Sequence, residues 1–354
     1  MPAPRRRTHW RYDHAGEAAA INIIEFEETL IAMRNAHYRQ RHVEAPGEGF
    51  RPVGGSVADF CAAEHEGEHH FFYIERRLQE GTPFYPGHET YLGHASTRDF
   101  FDWSVHEPAI WIRPETWEGA HVWAPNILKR GDTYVMAYTG INERISQDIG
   151  LAFSSDLFNW TRWEGNPLSP AKDRPWSFWR TDGIASCRDP HLFEQDGRVF
   201  MIYTANTREG ATCIAMASSA NLESWEDHGP ILVGAAEGYE PRLQGGHPQG
   251  SLESAILLNR RGRWFLSATA AVRGSEIRNW IFESDRFDRF SFSSGREFWR
   301  DAIGVEVLKE KGTRSLLAAF SAGVIRLGEV DWAEEAPVAR YLETPAEVRA
   351  WLKP

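Results

Sequence analysis

The chain has 354 residues, of which 42% are hydrophobic and 25% charged, the balance of a globular protein able to bury a large core. Its net charge of −11 excludes a general polyanion binder, because phosphate neutralisation needs clustered Lys and Arg and the one basic run is Arg5-Arg6-Arg7. No stretch is long and apolar enough to span a membrane, and the N-terminus lacks a run of signal-peptide type, so the expectation is a cytoplasmic protein without nucleic-acid or membrane partners.

Residues 1–50 form an extension in which Gly16 to His42 has helix-favouring composition, so a helical N-terminal segment is expected. That helix would pack on the rest of the protein or, alternatively, mediate a homo-oligomer. "EAPGEGFRPVGG", from Glu44, then reads as a linker.

From there the chain repeats itself. Segments beginning at Ala58 (ADFCAAEHEGEHHFFYI), Trp123 (WAPNILKRGDTYVMAYT), Arg188 (RDPHLFEQDGRVFMIYT) and Leu252 (LESAILLNRRGRWFLSAT) share one design, with a weaker copy from Gly304. Each has a short motif, an apolar run, a polar turn with Gly, and a second strand-like run. The middle residues of the opening triplets are Asp59, Ala124, Asp189 and Glu253, spaced by 65, 65 and 64 residues. A second motif runs in phase: STRDFFDW ends at Trp103, SSDLFNW at Trp160, SANLESW at Trp225 and SDRFDRF at Phe290. Short strands punctuated by Gly, Asn and Asp at this period predict an all-β fold, a five-bladed β-propeller over 51–335. Residues 336–354 are expected to form a tail with a short helix, capped by Thr344 with Glu347 in the capping-box position.

In a propeller, matching positions of successive inner strands converge on the axis. Asp59, Asp189 and Glu253 would then meet at one end, with small residues beside them. Clustered carboxylates repel and raise one another's pKa, a cost that one acid capping a turn would not incur. Glycosidic cleavage uses such a cluster: one carboxyl protonates the leaving oxygen, and another attacks the anomeric carbon or activates water.

The chain thus resembles the five-bladed propeller glycosidases, glycoside hydrolase families 32 (invertase/levanase type) and 43 (arabinanase/β-xylosidase type), over roughly residues 50–335. Arg188-Asp189-Pro190 and GHASTRDFFDW, from Gly93, are similar to the fructosyl-processing branch, and Val122 to Pro125 (VWAP) also occurs in the arabinan- and xylan-acting branch. The resemblance implies Asp59 as nucleophile, or as base in an inverting enzyme, Asp189 as transition-state stabiliser and Glu253 as general acid/base. It also implies Arg188 as a partner of sugar hydroxyls. Trp123 and Trp103 are candidate apolar walls or blade core, and His94 belongs to the matched Gly-His-Ala-Ser element. Two departures stand out. Ala58 and Phe60 flank the first acid where invertases have Asn and Pro, and Ser254-Ala255 follow Glu253 where they have Cys-Pro.

His247 and Gln249 in GGHPQGSLE are placed to line the cleft, and Trp179 in PWSFWRTDG to wall it or to anchor its loop. HEGEHH, His65 to His70, reads as a hairpin turn rather than a metal site. Cys61, Cys187 and Cys213 lack disulfide or zinc spacing, so reduced structural thiols are expected, with no metal and no cofactor. The leading expectation is a furanoside-acting glycosidase, leaning to β-fructofuranosides with retention, that takes an oligosaccharide or small glycoside. The alternatives are an inverting α-L-arabinofuranosidase or β-xylosidase, and a non-catalytic carbohydrate-binding propeller.

Overall fold

The structure is a computed structural model that describes residues 49–52, 54–77, 89–183, 185–234, 252–270 and 278–353. It adds the backbone of short strands at 8–12, 18–22, 43–44, 242–244 and 247–249.

Antiparallel sheets follow one another along the chain as five blades. Their inner strands are Gly55–His65, His121–Arg130, Cys187–Gln195, Leu252–Arg260 and Ile303–Lys311. Each pairs with a second strand: Glu68–Arg77, Thr133–Ile141, Arg198–Asn206, Arg263–Ala270 and Arg314–Ser321. The inner strands touch in succession and the fifth touches the first, which closes the ring. Closure is fixed by Phe50 pairing with Ile325 and by Val57 N donating to Gly323 O at 2.9 Å. The fifth blade ends on Arg340–Tyr341, past the boundary expected at residue 335.

Burial on both faces explains the apolar runs in the middle of the second strands. In the second blade Met136 and Tyr138 join the core shared with the first blade, whereas Val135 and Ala137 join that shared with the third. Phe200 and Ile202 alternate with Met201 and Tyr203 in the same way. This is period-two strand geometry with a hydrophobic neighbour on each side.

The second repeated motif has a specific structural job. In the second blade Ser154 Oγ accepts from Leu157 N at 2.9 Å, and Asp156 Oδ1 accepts from Phe158 N and Asn159 N at 2.9 and 2.8 Å. Trp160 Nε1 then donates to Leu157 O at 3.0 Å. The pattern recurs with Thr97, Asp99 and Trp103 and with Ser219, Asn221 and Trp225. Phe100, Leu157 and Leu222 all take left-handed φ of 62°, 65° and 68°. Side-chain acceptors thus replace the ladder at the bend, and the indole pins it.

The C-terminal helix is Pro345–Leu352, with the Thr344–Glu347 capping box as expected. Val348 and Trp351 bury into the core that joins the fifth and first blades, so the helix covers the seam where the ring closes. The N-terminal expectation fares differently. Ala18–Asn22 pairs antiparallel with Thr8–Tyr12, so the start of the expected helix is a strand, and 23–42 lies outside the described residues. Helix propensity is a weak preference that a paired strand overrides.

Candidate active site

Every inner strand carries a β-bulge near its start, where the register with the second strand shifts. A bulge leaves unpaired residues whose side chains can be re-aimed. Ala124, Asp189, Ser254 and Gly304 occupy the left-handed bulge position, with φ of 40°, 55°, 52° and 58°. The three acids therefore do not hold one ladder position. Glu253 pairs with Thr269 just before its bulge, as Arg188 pairs with Thr204. Asp189 is the first bulge residue, and Asp59 is the second, because the first-blade shift falls between Val57 and Phe60. The step of 64 residues from Asp189 to Glu253, one short of the others, is the trace of its offset, whereas the offset of Asp59 leaves no mark in the spacing.

The acids nevertheless meet in one network. Ser254 Oγ donates to Asp59 Oδ1 at 2.9 Å, and Ser254 N donates to Asp189 Oδ2 at 3.0 Å. Arg188 Nε lies 3.3 Å from Asp189 Oδ2, and Arg188 Nη2 donates to Glu253 Oε2 at 3.1 Å. Thr204 Oγ1 also donates to Asp189 Oδ2 at 3.2 Å, while Asp189 N donates to Thr139 Oγ1 at 3.0 Å. Gly304 is required beside this group: a Cβ there would come within 2.8 Å of Asp59 Oδ1.

Burial, then repulsion from Asp189 and Glu253, pushes the Asp59 carboxyl well above the ordinary range, and the Ser254 hydroxyl and Arg76 pull it back. Burial also raises Asp189, although the adjoining Arg188 guanidinium opposes the shift. Burial alone would lower Arg188, but Asp189, Glu253 and Asp59 together raise it, so its charge is secure. The Glu253 side chain is 37% exposed against 5% for Asp189, which makes Glu253 the carboxyl able to exchange protons with solvent.

Below the acids runs an axial channel lined by Asn126, His191, Ile256 and Glu306. It reaches up to Asp59 and Asp189 and holds about 30 Å³, far less than the ~300 Å³ at which ligand pockets begin, so the axial channel is too small for a sugar ring. Burial raises Glu306 to about 8, helped by Asp59 and opposed by a hydrogen bond from Asn126, and burial lowers His191 to about 4. Both are neutral at pH 7.

The other candidates divide. Trp123 pairs with Thr139 at the ladder position of Arg188 and Glu253, next to the site, half-buried against His121. Trp179 anchors its loop: its Nε1 donates to Gln147 O at 2.9 Å, and Gln147 Oε1 in turn faces Arg188 Nη1 at 3.4 Å. Trp103 is not a cleft wall. It is 3% exposed, stacks on Phe50 at 4.4 Å and pins its own turn, because the aromatic of that motif serves the bend. His94 is also misplaced as a site residue. The third strand of a blade lies away from the axis, and His94 is buried there, bonded to His70 Nδ1 at 2.9 Å. His247 and Gln249 fall in a two-stranded ribbon with Arg242–Gln244, and their side chains lie outside the described residues. HEGEHH is a hairpin, with Glu66 and Gly67 at φ 52° and 74°. All three cysteines are free and buried, and burial pushes the Cys187 thiol far up, so it is no nucleophile.

Sequence reading missed Ser254, Arg76, Thr139, Thr204 and Gln147 as site residues. The threonines carried a signal, since Thr139, Thr204 and Thr269 lie near the ends of the second strands at 65-residue spacing. Ser254 acts across blades, Arg76 acts on Asp59 from the neighbouring strand of the same blade, and neither left such a trace.

A profile of the glycosyl hydrolases family 32 N-terminal domain matches residues 61–240, just over half of the chain. The chain belongs to glycoside hydrolase family 32. As a family 32 protein it is a glycosidase. Solved structures agree in fold. The Bombyx mori family 32 β-fructofuranosidase superposes with a TM-score of 0.65 at 17% identity, covering 90% of this chain and 69% of that one. Fructan 1-exohydrolase IIa from Cichorium intybus, in complex with 1-kestose, gives 0.62 at 16%, covering 85% and 61%. A family 43 β-xylosidase/α-arabinofuranosidase from a compost metagenome gives 0.58 at 15%, covering 85% and 98%. No curated protein sequence matches the chain.

Proposed function

We propose that this family 32 chain hydrolyses β-fructofuranosides with retention of configuration. The observation that carries the reading is the hydrogen-bonded set Asp59–Ser254–Asp189–Arg188–Glu253 above an axial channel too narrow for substrate. Glu253, the exposed carboxyl, gives its proton to the leaving oxygen as Asp59 attacks the anomeric carbon and the glycosidic bond breaks. Glu253, now ionised, takes a proton from water, and the resulting hydroxide equivalent displaces Asp59 to release the sugar. Asp189 offsets charge on the oxocarbenium-like sugar, and Arg188 binds its hydroxyls while holding Glu253 in place. Sucrose and 1-kestose, bound in structures similar to this one, are the natural first substrates.

Ala58 and Phe60 around the first acid favour one competitor, an inverting α-L-arabinofuranosidase or β-xylosidase, because the invertase-type Asn-Asp-Pro flank is absent. Initial rates on sucrose, 1-kestose and chromogenic α-L-arabinofuranosides and β-xylosides separate the two. Fructose release with silence on the pentosides is expected; the reverse pattern would replace the reading with the competitor.

A further inference from the structure

A cavity of about 430 Å³ opens between the connector that leads into the second blade, Arg113 to Glu118, and the outer edge of that blade, and none of the catalytic acids lines it. It shares no lining residue with the axial channel, and its volume lies within the range of small-ligand sites, roughly 300–1,000 Å³. Three of the chain's 15 tryptophans line it, namely Trp117, Trp160 and Trp163. The Trp117 ring is seated where two strands lack side chains, since a Cβ on Gly140 or Gly150 would come within 2.2 or 2.7 Å of it.

The polar groups are arranged around these rings. Glu118, 1% exposed, is held by Arg162 Nε at 2.9 Å and by the Tyr138 hydroxyl at 2.7 Å, and Arg162 is further fixed by Trp111 O. Arg113 Nε stands 3.8 Å from Glu118, beyond hydrogen-bond reach, with its side chain 58% exposed. Two arginines face two glutamates, Glu118 and Glu164, so the cavity has no net charge to attract a phosphate. Its polar lining is equally unsuited to a wholly apolar ligand. Flat aromatic walls with both donors and acceptors at the rim fit a neutral, polyhydroxylated ring.

We propose that this cavity is a second saccharide-binding site, distinct from the catalytic centre, that holds a sugar unit of an oligosaccharide. The proposal rests on the glycosidase assignment only for its choice of probes.

Isothermal titration of the full chain carrying Asp59→Ala, which removes turnover, tests it. Inulin-derived fructo-oligosaccharides form one arm, and arabino- and xylo-oligosaccharides the others. The expected result is binding beyond a single catalytic site in one arm, with the additional event lost or weakened roughly tenfold by Arg113→Ala and by Trp163→Ala. Arg113 is exposed, so its variant stays informative where Trp163→Ala disturbs folding. Isotherms unchanged by Arg113→Ala, or no second event in any arm, overturn the site. Failure of the fructosidase reading looks different: the unmutated chain would leave sucrose and 1-kestose intact whatever the isotherms report.

Discussion

Ser254 carries more of the chemistry than its position after Glu253 announces. Its hydroxyl and its backbone N–H reach two different carboxylates, and its left-handed backbone makes both contacts possible. The hydroxyl favours ionised Asp59, the form that attacks in the proposed mechanism. Ser254→Ala should therefore raise the Asp59 pKa further, moving the acid limb of kcat/KM to higher pH and lowering its plateau by roughly tenfold, as for one hydrogen bond to a charged group. A pH–rate profile checks it. Asp59 itself is held at a cost: its folded pKa lies above the unfolded value, so the fold loses stability as pH rises through that interval. Asp59→Asn removes that penalty and should abolish turnover while raising Tm at pH 7 by about 2 °C or more, read by calorimetry. At this scale the acids and Arg188 were legible, because the repeat isolated them. Ser254 was not, because its contacts cross between blades far apart in sequence, and Arg76 was not, because the repeat does not mark its place on the second strand of the first blade.

The repeated elements were the most legible part of the chain. Strand alternation, Gly turns and the Ser–Asp–Trp bend each depend on local chemistry, so they survive in the sequence at a fixed period. The bend gives a clean test. Against its slight burial, Asp156 is drawn far below the ordinary carboxylate range by hydrogen bonds from Asn159, Phe158 and Ser154. Its stabilisation is present above about pH 4 and fades as pH falls below that. Asp156→Ala should cost about 1–2 kcal/mol in chemical denaturation at pH 7. The same motif misled the reading of Trp103 and His94, because an aromatic beside a catalytic-looking signature was pinning a bend and a third strand was packing a blade. Bulges were the unreadable element. They shift the ladder by a residue while the spacing changes by one at most, and so Asp59, Asp189 and Glu253 could nearly share a period without sharing a position.

At the scale of the whole molecule, five blades close on an axis whose interior is partly polar. Glu306 sits there, protonated at neutral pH, with Asn126 and the Asp59 carboxylate for neighbours. Because its folded value of about 8 exceeds the usual ~4.3, its contribution to stability declines as pH climbs from about 4 to 8 and levels off above. Glu306→Gln should match the parent in Tm near pH 4.5 and exceed it at pH 9. The axial arrangement was legible as soon as the repeat implied a propeller. The central claim, that the acids gathered on this axis cleave a furanoside through Asp59, is tested most directly by NMR of sucrose turnover in the presence of methanol. The account predicts methyl β-fructofuranoside as the transfer product, formed with retention. A methyl α-fructofuranoside, or no turnover of sucrose at all, would contradict it.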